Sequence, residues 1–161
     1  MHSGIRRLLL LGAGHAHLHV LARLAEYHPA DLQVTLITPF DTQTYSGMVP
    51  GLVAGHYSKA EVQIPLPPLL QAGHVRWLAG RCTGIDAAAS RVTWQAEGDA
   101  VAQTFNYDLL SIDTGAVLRP ERMDAEMPGA RRHALALRPI ETFAALWPDV
   151  VALSRERALS L

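Results

Sequence analysis

The segment that most constrains the fold is an apolar run that ends in two glycines and leads into a helical pattern. Leu8 to Leu11 is continuously apolar, which is typical of a strand covered on both faces in a parallel sheet. After Gly12 and Gly14, apolar residues recur at helical spacing until about His28. Leu32 to Thr38 then supplies a second β-rich run. Strand, helix and strand within about 35 residues predict a right-handed βαβ unit with its first strand near the sheet centre.

The remainder of the chain predicts further strands and helices around this unit. We expect a loop and short helix at 40–55, a short helix at 65–70, a third core strand at 75–79, an antiparallel meander at about 81–107, a buried strand at 109–113, a polar stretch to 138 and a final helix from 139 to about 157. The predicted fold class is therefore α/β: a Rossmann-like parallel sheet with a βαβ nucleotide-binding unit and an inserted small antiparallel β-meander.

The composition excludes several classes of partner and site. Fourteen basic and 15 acidic residues leave a formal net charge of -1, which gives no reason to expect a nucleic-acid-binding surface. The single cysteine, Cys82, excludes an internal disulfide, a redox dithiol and a multi-cysteine metal site, and it favours a cytoplasmic location. No apolar run approaches the roughly 18 residues of a membrane-spanning helix, so we expect no transmembrane segment, while peripheral membrane contact stays open.

The turn between the first strand and the first helix has the residues needed to hold a pyrophosphate. Gly12 permits a tight turn, and Gly14 lets the backbone approach the phosphates at the positive end of the helix. We expect His15 and Ala16 to face the phosphates with their backbone N–H groups. His17 occupies the place of the usual third glycine or alanine, and we expect it to pack inward.

The end of the second strand lacks the acidic residue that commonly binds a ribose hydroxyl in NAD-binding proteins. Thr38 and Pro39 stand there instead. Thr38 has a hydroxyl for one hydrogen bond to a ribose, and Asp41 is a nearby alternative. This substitution argues against simple NAD binding at this site.

Three histidines at alternating positions near the glycines raise the possibility of a metal site. On a helix, His15 and His19 share one face, whereas His17 points away from both. We therefore expect no metal site.

Four segments of the sequence resemble motifs of known proteins. The segment Tyr107–Ala116 (YDLLSIDTGA) resembles the YDxLxxATG motif of flavoproteins with two dinucleotide domains. The other three are GAGHAH at Gly12–His17, YSGMVPGLVAGHYS at Tyr45–Ser58 and CTGID at Cys82–Asp86. Together they resemble the pyridine nucleotide-disulfide oxidoreductase family, specifically members related to type II NADH dehydrogenases and the branch found fused or adjacent to selenide, water dikinase. The resemblance covers essentially the whole chain, and His17 is normal for that branch.

The resemblance implies FAD as the cofactor, NAD(P)H as the substrate of the full-length enzyme and a small-molecule electron acceptor. It places Ser46, Gly47 and Met48 beside the isoalloxazine and pyrophosphate, and the main chain of Cys82 at the adenine edge. It also places the turn at Thr114, Gly115 and Ala116 against the cofactor. Selenide, water dikinase is a possible fusion partner or neighbour. No side chain is assigned as acid, base or nucleophile.

The same resemblance predicts a division of the chain. Residues 1–138 would form the N-terminal part of an FAD-binding domain, and 139–161 a helical connection toward an NAD(P)H-binding domain that this chain lacks, so the 161 residues alone would be inactive. One alternative is a non-catalytic dinucleotide-binding or regulatory module. Another is a single-domain NAD-dependent dehydrogenase, against which Thr38 and the threonine-glycine segment argue.

Overall fold

A computed structural model of the chain describes residues 4–116 and 119–159. The chain divides into two compact units. The first comprises Met1–Gln43 and Pro65–Gly115, and the second comprises Thr44–Ile64 and Ala116–Leu161. The placement of a functional boundary after residue 138 stays a prediction.

The first unit is built on one six-stranded sheet. Its strands are β1 (Arg6–Leu11), β2 (Leu32–Thr38), β5 (Arg76–Asp86), β6 (Arg91–Ala96), β7 (Gln103–Asn106) and β8 (Leu109–Ile112). Their order in the sheet is β7-β6-β5-β2-β1-β8. Strand β1 pairs in parallel with β2 and β8, and β2 pairs in parallel with β5. Strand β5 then pairs antiparallel with β6, and β6 with β7. This arrangement confirms the predicted α/β, Rossmann-like fold.

The apolar run of β1 is explained by packing on both faces of the sheet. Leu10 belongs to a core cluster that includes Leu21 and Leu24 of helix α1 (His15–Glu26) and Leu70 of helix α3 (Leu66–Ala72). Leu9 and Leu11 point to the opposite face, and their cluster is completed by Ile37, Val92, Trp94 and Tyr107. Because adjacent residues of a strand face opposite sides, Leu9, Leu10 and Leu11 are all buried, while Leu8 at the start of the run is half-buried.

Two strands differ from the sequence prediction. Strand β8 was expected to be buried, but it is the edge of the sheet, and Leu109 and Ile112 are 49% and 57% exposed. An apolar run does not reveal whether a second neighbour will pair with it, so its burial was wrongly predicted. Strand β5 continues past Ala79 into the expected meander, because one long strand serves both the parallel and antiparallel parts of the sheet.

The second unit contains short helices and one long helix. The helices are α2 (Val49–Val53), α4 (Pro120–Glu126), α5 (Ala130–His133) and α6 (Ile140–Leu159). A turn of 3₁₀ helix at Ser46–Met48 precedes α2, and the long helix α6 packs Phe143 against Val49. The sequence predicted only a polar stretch before α6, where the structure has α4 and α5. Both helices are too short and polar to give a periodic signal.

Strands β3 (Thr42–Thr44) and β4 (Gln63–Pro65) pair as a separate two-stranded sheet.

Among residues 4–116 and 119–159, no helix combines the length and the apolar character needed to cross a membrane.

Candidate functional site: the phosphate turn

The turn after β1 is held against the end of β8, so the two distant glycine segments of the sequence meet. Gly12 has a φ of 81°, and its N–H donates to the Ile37 carbonyl at 2.8 Å. A Cβ at Gly12 would lie 2.6 Å from the Thr114 Cα and would also overlap the Asp113 carbonyl oxygen. Glycine is therefore required at position 12 both by its backbone conformation and by the close approach of the Asp113–Thr114 backbone.

The second glycine of the turn makes room for a side chain of the protein itself. The Gly14 N–H donates to the Asp113 carbonyl at 3.1 Å. The three nearest neighbours of a Cβ built on Gly14 are the carboxylate atoms of Asp113, with Oδ2 at 2.5 Å. The sequence interpretation required this glycine only for the approach of a pyrophosphate, and it missed the Asp113 side chain.

Asp113 also caps the helix that begins at this turn. Gly14 is the N-cap residue of α1 and has no side chain to satisfy the first amides of the helix. The His17 N–H instead donates to Asp113 Oδ2 at 3.1 Å. His15 and Ala16 occupy the two helical positions before His17, and both are exposed. At the start of α1, the Asp113 carboxylate therefore binds the His17 N–H, while His15 and Ala16 lie at the surface.

His17 is buried beneath the turn, as the sequence predicted, and both of its ring nitrogens have partners. His17 is only 1% exposed. Nδ1 lies 2.6 Å from the Gly12 carbonyl oxygen, and Nε2 lies 2.8 Å from Ser111 Oγ. Because a carbonyl oxygen only accepts, Nδ1 carries a proton, and in the neutral ring the Ser111 hydroxyl donates to Nε2. The His17 ring on α1 therefore hydrogen-bonds to both the turn and β8. A glycine at this position would only allow close packing.

The end of β2 forms a second part of the same sheet edge. Thr38 is buried, and its carbonyl accepts a hydrogen bond from Trp77 Nε1 at 3.0 Å. Just beyond it, the Arg81 guanidinium lies over the ring of Phe40, 5.7 Å from the ring centroid. Sequence analysis missed Arg81 and Phe40, because a cation–π pair between distant positions leaves no local pattern.

The structure places the predicted cofactor-binding residues in two groups. In the first unit, Gly12, Gly14, Thr38, Thr114 and their immediate neighbours follow the carboxyl ends of parallel strands, where ligands of such sheets commonly bind. The residues of this group are Gly12, Gly14, His15, Ala16, His17, Thr38, Pro39, Cys82, Thr114 and Gly115. The residues in the second unit are Ser46, Gly47, Met48 and Ala116. Their binding of a cofactor stays a prediction.

Two members of these groups have informative local geometry. Gly115 has a φ of 72° and open space around its Cα, so only its backbone conformation calls for glycine. Cys82 is half-buried on β5, and its thiol lies 3.5 Å from the Gly84 carbonyl. Within the part of the chain that the structure describes, no group of three or more His, Cys, Asp or Glu side chains is arranged to hold a metal ion.

The chain is similar in fold to several solved structures. The sulfide:quinone oxidoreductase from the hyperthermophilic bacterium Aquifex aeolicus is 22% identical, with a TM-score of 0.72 over 93% of this chain and 32% of that one. NDH2 from Plasmodium falciparum in complex with NADH is 19% identical, with a TM-score of 0.67 over 81% of this chain and 25% of that one. The water-forming NADH oxidase from Lactobacillus brevis bound to NADH is 19% identical, with a TM-score of 0.59 over 71% and 26%.

These likenesses concern only part of each relative. The chain spans 25% to 32% of the length of these three structures. No match was found among curated proteins. The model of the family described as pyridine nucleotide-disulphide oxidoreductase matches residues 6–151, which is most of the chain. The chain therefore belongs to the pyridine nucleotide-disulphide oxidoreductase family.

Proposed function

We propose that this chain is the FAD-binding portion of a flavin-dependent NAD(P)H oxidoreductase. The observation that carries the proposal is the interlocked turn, in which Gly12 packs directly on the Asp113–Thr114 backbone. This contact brings the end of β1, the start of α1 and the end of β8 to one edge of a parallel sheet. A nucleotide pyrophosphate is the ligand that such an edge is suited to hold.

Each predicted residue has a part in binding under this proposal. The backbone N–H groups of His15 and Ala16 face the pyrophosphate, and Thr38 with Pro39 lies beside the ribose. Cys82 contributes its main chain at the adenine edge, and the turn that begins at Thr114 lies against the cofactor. Ser46, Gly47 and Met48 would border the isoalloxazine. Bound FAD would supply the hydride and electron chemistry, while these residues orient it.

The remaining parts of the proposal concern partners and location. Hydride donation by NAD(P)H requires a second nucleotide site, and we assign that site to a domain outside these 161 residues. The electrons would pass to a small-molecule acceptor. The resemblance of GAGHAH and YDLLSIDTGA to the selenide, water dikinase branch supports that kinase as a fusion partner or neighbour. A single cysteine and a chain of nearly balanced charge support a cytoplasmic location.

The test removes one backbone donor from the turn without changing the fold. His15 is the first residue of α1 and follows an extended Gly14, so proline is tolerated at position 15. His15→Pro should weaken ADP binding about tenfold, because one N–H to a charged phosphate is lost. His15→Ala keeps that N–H and should bind ADP like the unmodified chain. Titration calorimetry measures both affinities, and circular dichroism checks the fold.

Titration calorimetry also measures the affinity of the unmodified chain for FAD. We expect ADP to bind almost as well as FAD, since the first unit holds the adenosine and pyrophosphate. No NAD(P)H oxidation is expected from these 161 residues alone. Failure to bind either ADP or FAD would refute the proposed function, and rapid flavin reduction by NADH would show that the second nucleotide site was wrongly assigned.

A further inference from the structure

We propose that Asp113 determines how strongly the phosphate turn binds an anionic ligand, by opposing the pyrophosphate with its own negative charge. This inference rests on the proposed function, because it concerns the same turn. Asp113 follows β8 and directs its carboxylate to the start of α1, where His17 donates to it. The chain therefore places a carboxylate of its own beside the proposed phosphate-binding site.

The geometry shows how closely this carboxylate and the turn are associated. Its oxygens lie where a Cβ of Gly14 would be, so the charge is in contact with the turn itself. The backbone carbonyl of Asp113 also accepts from the Gly14 N–H at 3.1 Å. The Asp113 N–H donates to the Leu11 carbonyl at 2.8 Å, so three hydrogen bonds fix the residue, two through its main chain and one through its side chain.

The charge of Asp113 has no cationic side chain to balance it. Among residues 4–116 and 119–159, the salt bridges of the structure involve other carboxylates, and Asp113 belongs to none of them. Its counterpart is the partial positive charge at the start of α1, equivalent to about half an elementary charge. A full negative charge at this place offsets the field that would attract a phosphate.

The consequence depends on the charge of the ligand. Adenosine is uncharged and should not respond to Asp113, whereas AMP and ADP should be repelled in increasing order. Two like charges that lie close together near a protein surface repel strongly enough to change affinity by about tenfold. Asp113 would therefore weaken the binding of free nucleotides at the turn. Binding of the whole cofactor would then depend on the contacts that its other parts make with the protein.

The decisive variant is Asp113→Asn, which removes the charge while its side-chain oxygen still accepts from the His17 N–H. ADP should bind about tenfold more tightly than to the unmodified chain, AMP should gain less, and adenosine should be unchanged. Asp113→Ser, which is shorter and neutral, should show the same order. Asp99→Asn makes the same change of charge on the exposed turn after β6 and should change none of the three affinities.

Calorimetry with ADP and AMP, and a nuclear magnetic resonance titration with adenosine, give distinct outcomes. Equal or weaker ADP binding by folded Asp113→Asn overturns the inference. An equal gain for adenosine also overturns it, because it would reflect a change of shape and not of charge. If neither the unmodified chain nor the variant binds ADP or FAD, the proposed function fails instead.

Discussion

The two ends of strand β8 each carry an aspartate, and their surroundings differ in a way that separates fold from function. At the start, the carboxylate of Asp108 accepts three hydrogen bonds from Arg7, two from the guanidinium and one from the backbone N–H. These contacts lower the pKa of Asp108 to about 2. At the other end, the Asp113 carboxylate accepts a hydrogen bond from the His17 N–H, and the main chain of Asp113 pairs with Leu11 and Gly14.

The comparison shows that one residue type has two uses on the same strand. The charge of Asp108 is matched by a cation and serves to join β8 to β1. The charge of Asp113 is left to act on whatever binds at the turn. A carboxylate that has no cationic partner and lies beside a proposed phosphate site is therefore a candidate for setting the affinity of that site. A carboxylate paired with a cation is instead a structural contact.

The largest expected effect is at the functional end of β8, where the turn and the Asp113–Thr114 backbone touch. Gly12→Ala should lower the free energy of unfolding by about 3 kcal/mol, since it adds a backbone clash to an unfavourable φ. Gly98→Ala is the matched control, with a φ of 87° and open space around it. It should cost only about 1 kcal/mol. Urea unfolding followed by circular dichroism measures both, and equal costs would contradict the proposed contact.

The next effect tests whether Gly14 is required by the Asp113 side chain. Gly14→Ala should cost about 2 kcal/mol of unfolding free energy, because its Cβ overlaps the carboxylate. In an Asp113→Ala background the same substitution should cost about 1 kcal/mol less. A double-mutant cycle from urea unfolding gives this coupling directly. Additive costs would mean that Gly14 is needed for another reason.

The smallest effect belongs to the structural end of β8. Because the pKa of Asp108 is lowered on folding, its contribution to stability is present above its unfolded pKa of about 3.9 and is lost as the pH falls toward 2. The difference in urea midpoint between the unmodified chain and Asp108→Asn should therefore be present at neutral pH and shrink in acid. In an Arg7→Gln background this pH dependence should largely disappear. A difference that acid leaves unchanged would show that Asp108 acts without its ionic contact.

Sequence reasoning anticipated the main elements because they depend on local patterns. The βαβ unit followed from an apolar run, two glycines and a helical period, and the antiparallel meander was predicted at about 81–107, the region that contains β6 and β7. His17 was expected to turn inward. Its hydrogen bond to Ser111 was not expected, because 94 residues separate them and no pattern joins them.

One signal for Asp113 was present in the sequence and was not used. In YDxLxxATG the residue before the threonine is alanine, whereas Tyr107–Ala116 has Asp113 there. A charged residue in place of a small one, next to a predicted phosphate turn, deserved its own hypothesis. The edge position of β8 had no such signal, since it depends on which strands remain unpaired.

The sequence by itself determined the fold class, the glycine turn between β1 and α1 and the family resemblance, because hydrophobic periodicity and glycine spacing act over short distances. Only the tertiary structure decided what lies against the turn. Gly12, Gly14 and His17 are 94 to 102 positions from the Ser111–Thr114 segment that they contact, and the parallel pairing of β1 with β8 brings them together. Long-range pairing of this kind is set by the packing of the whole sheet, and it placed the Asp113 carboxylate at the start of α1.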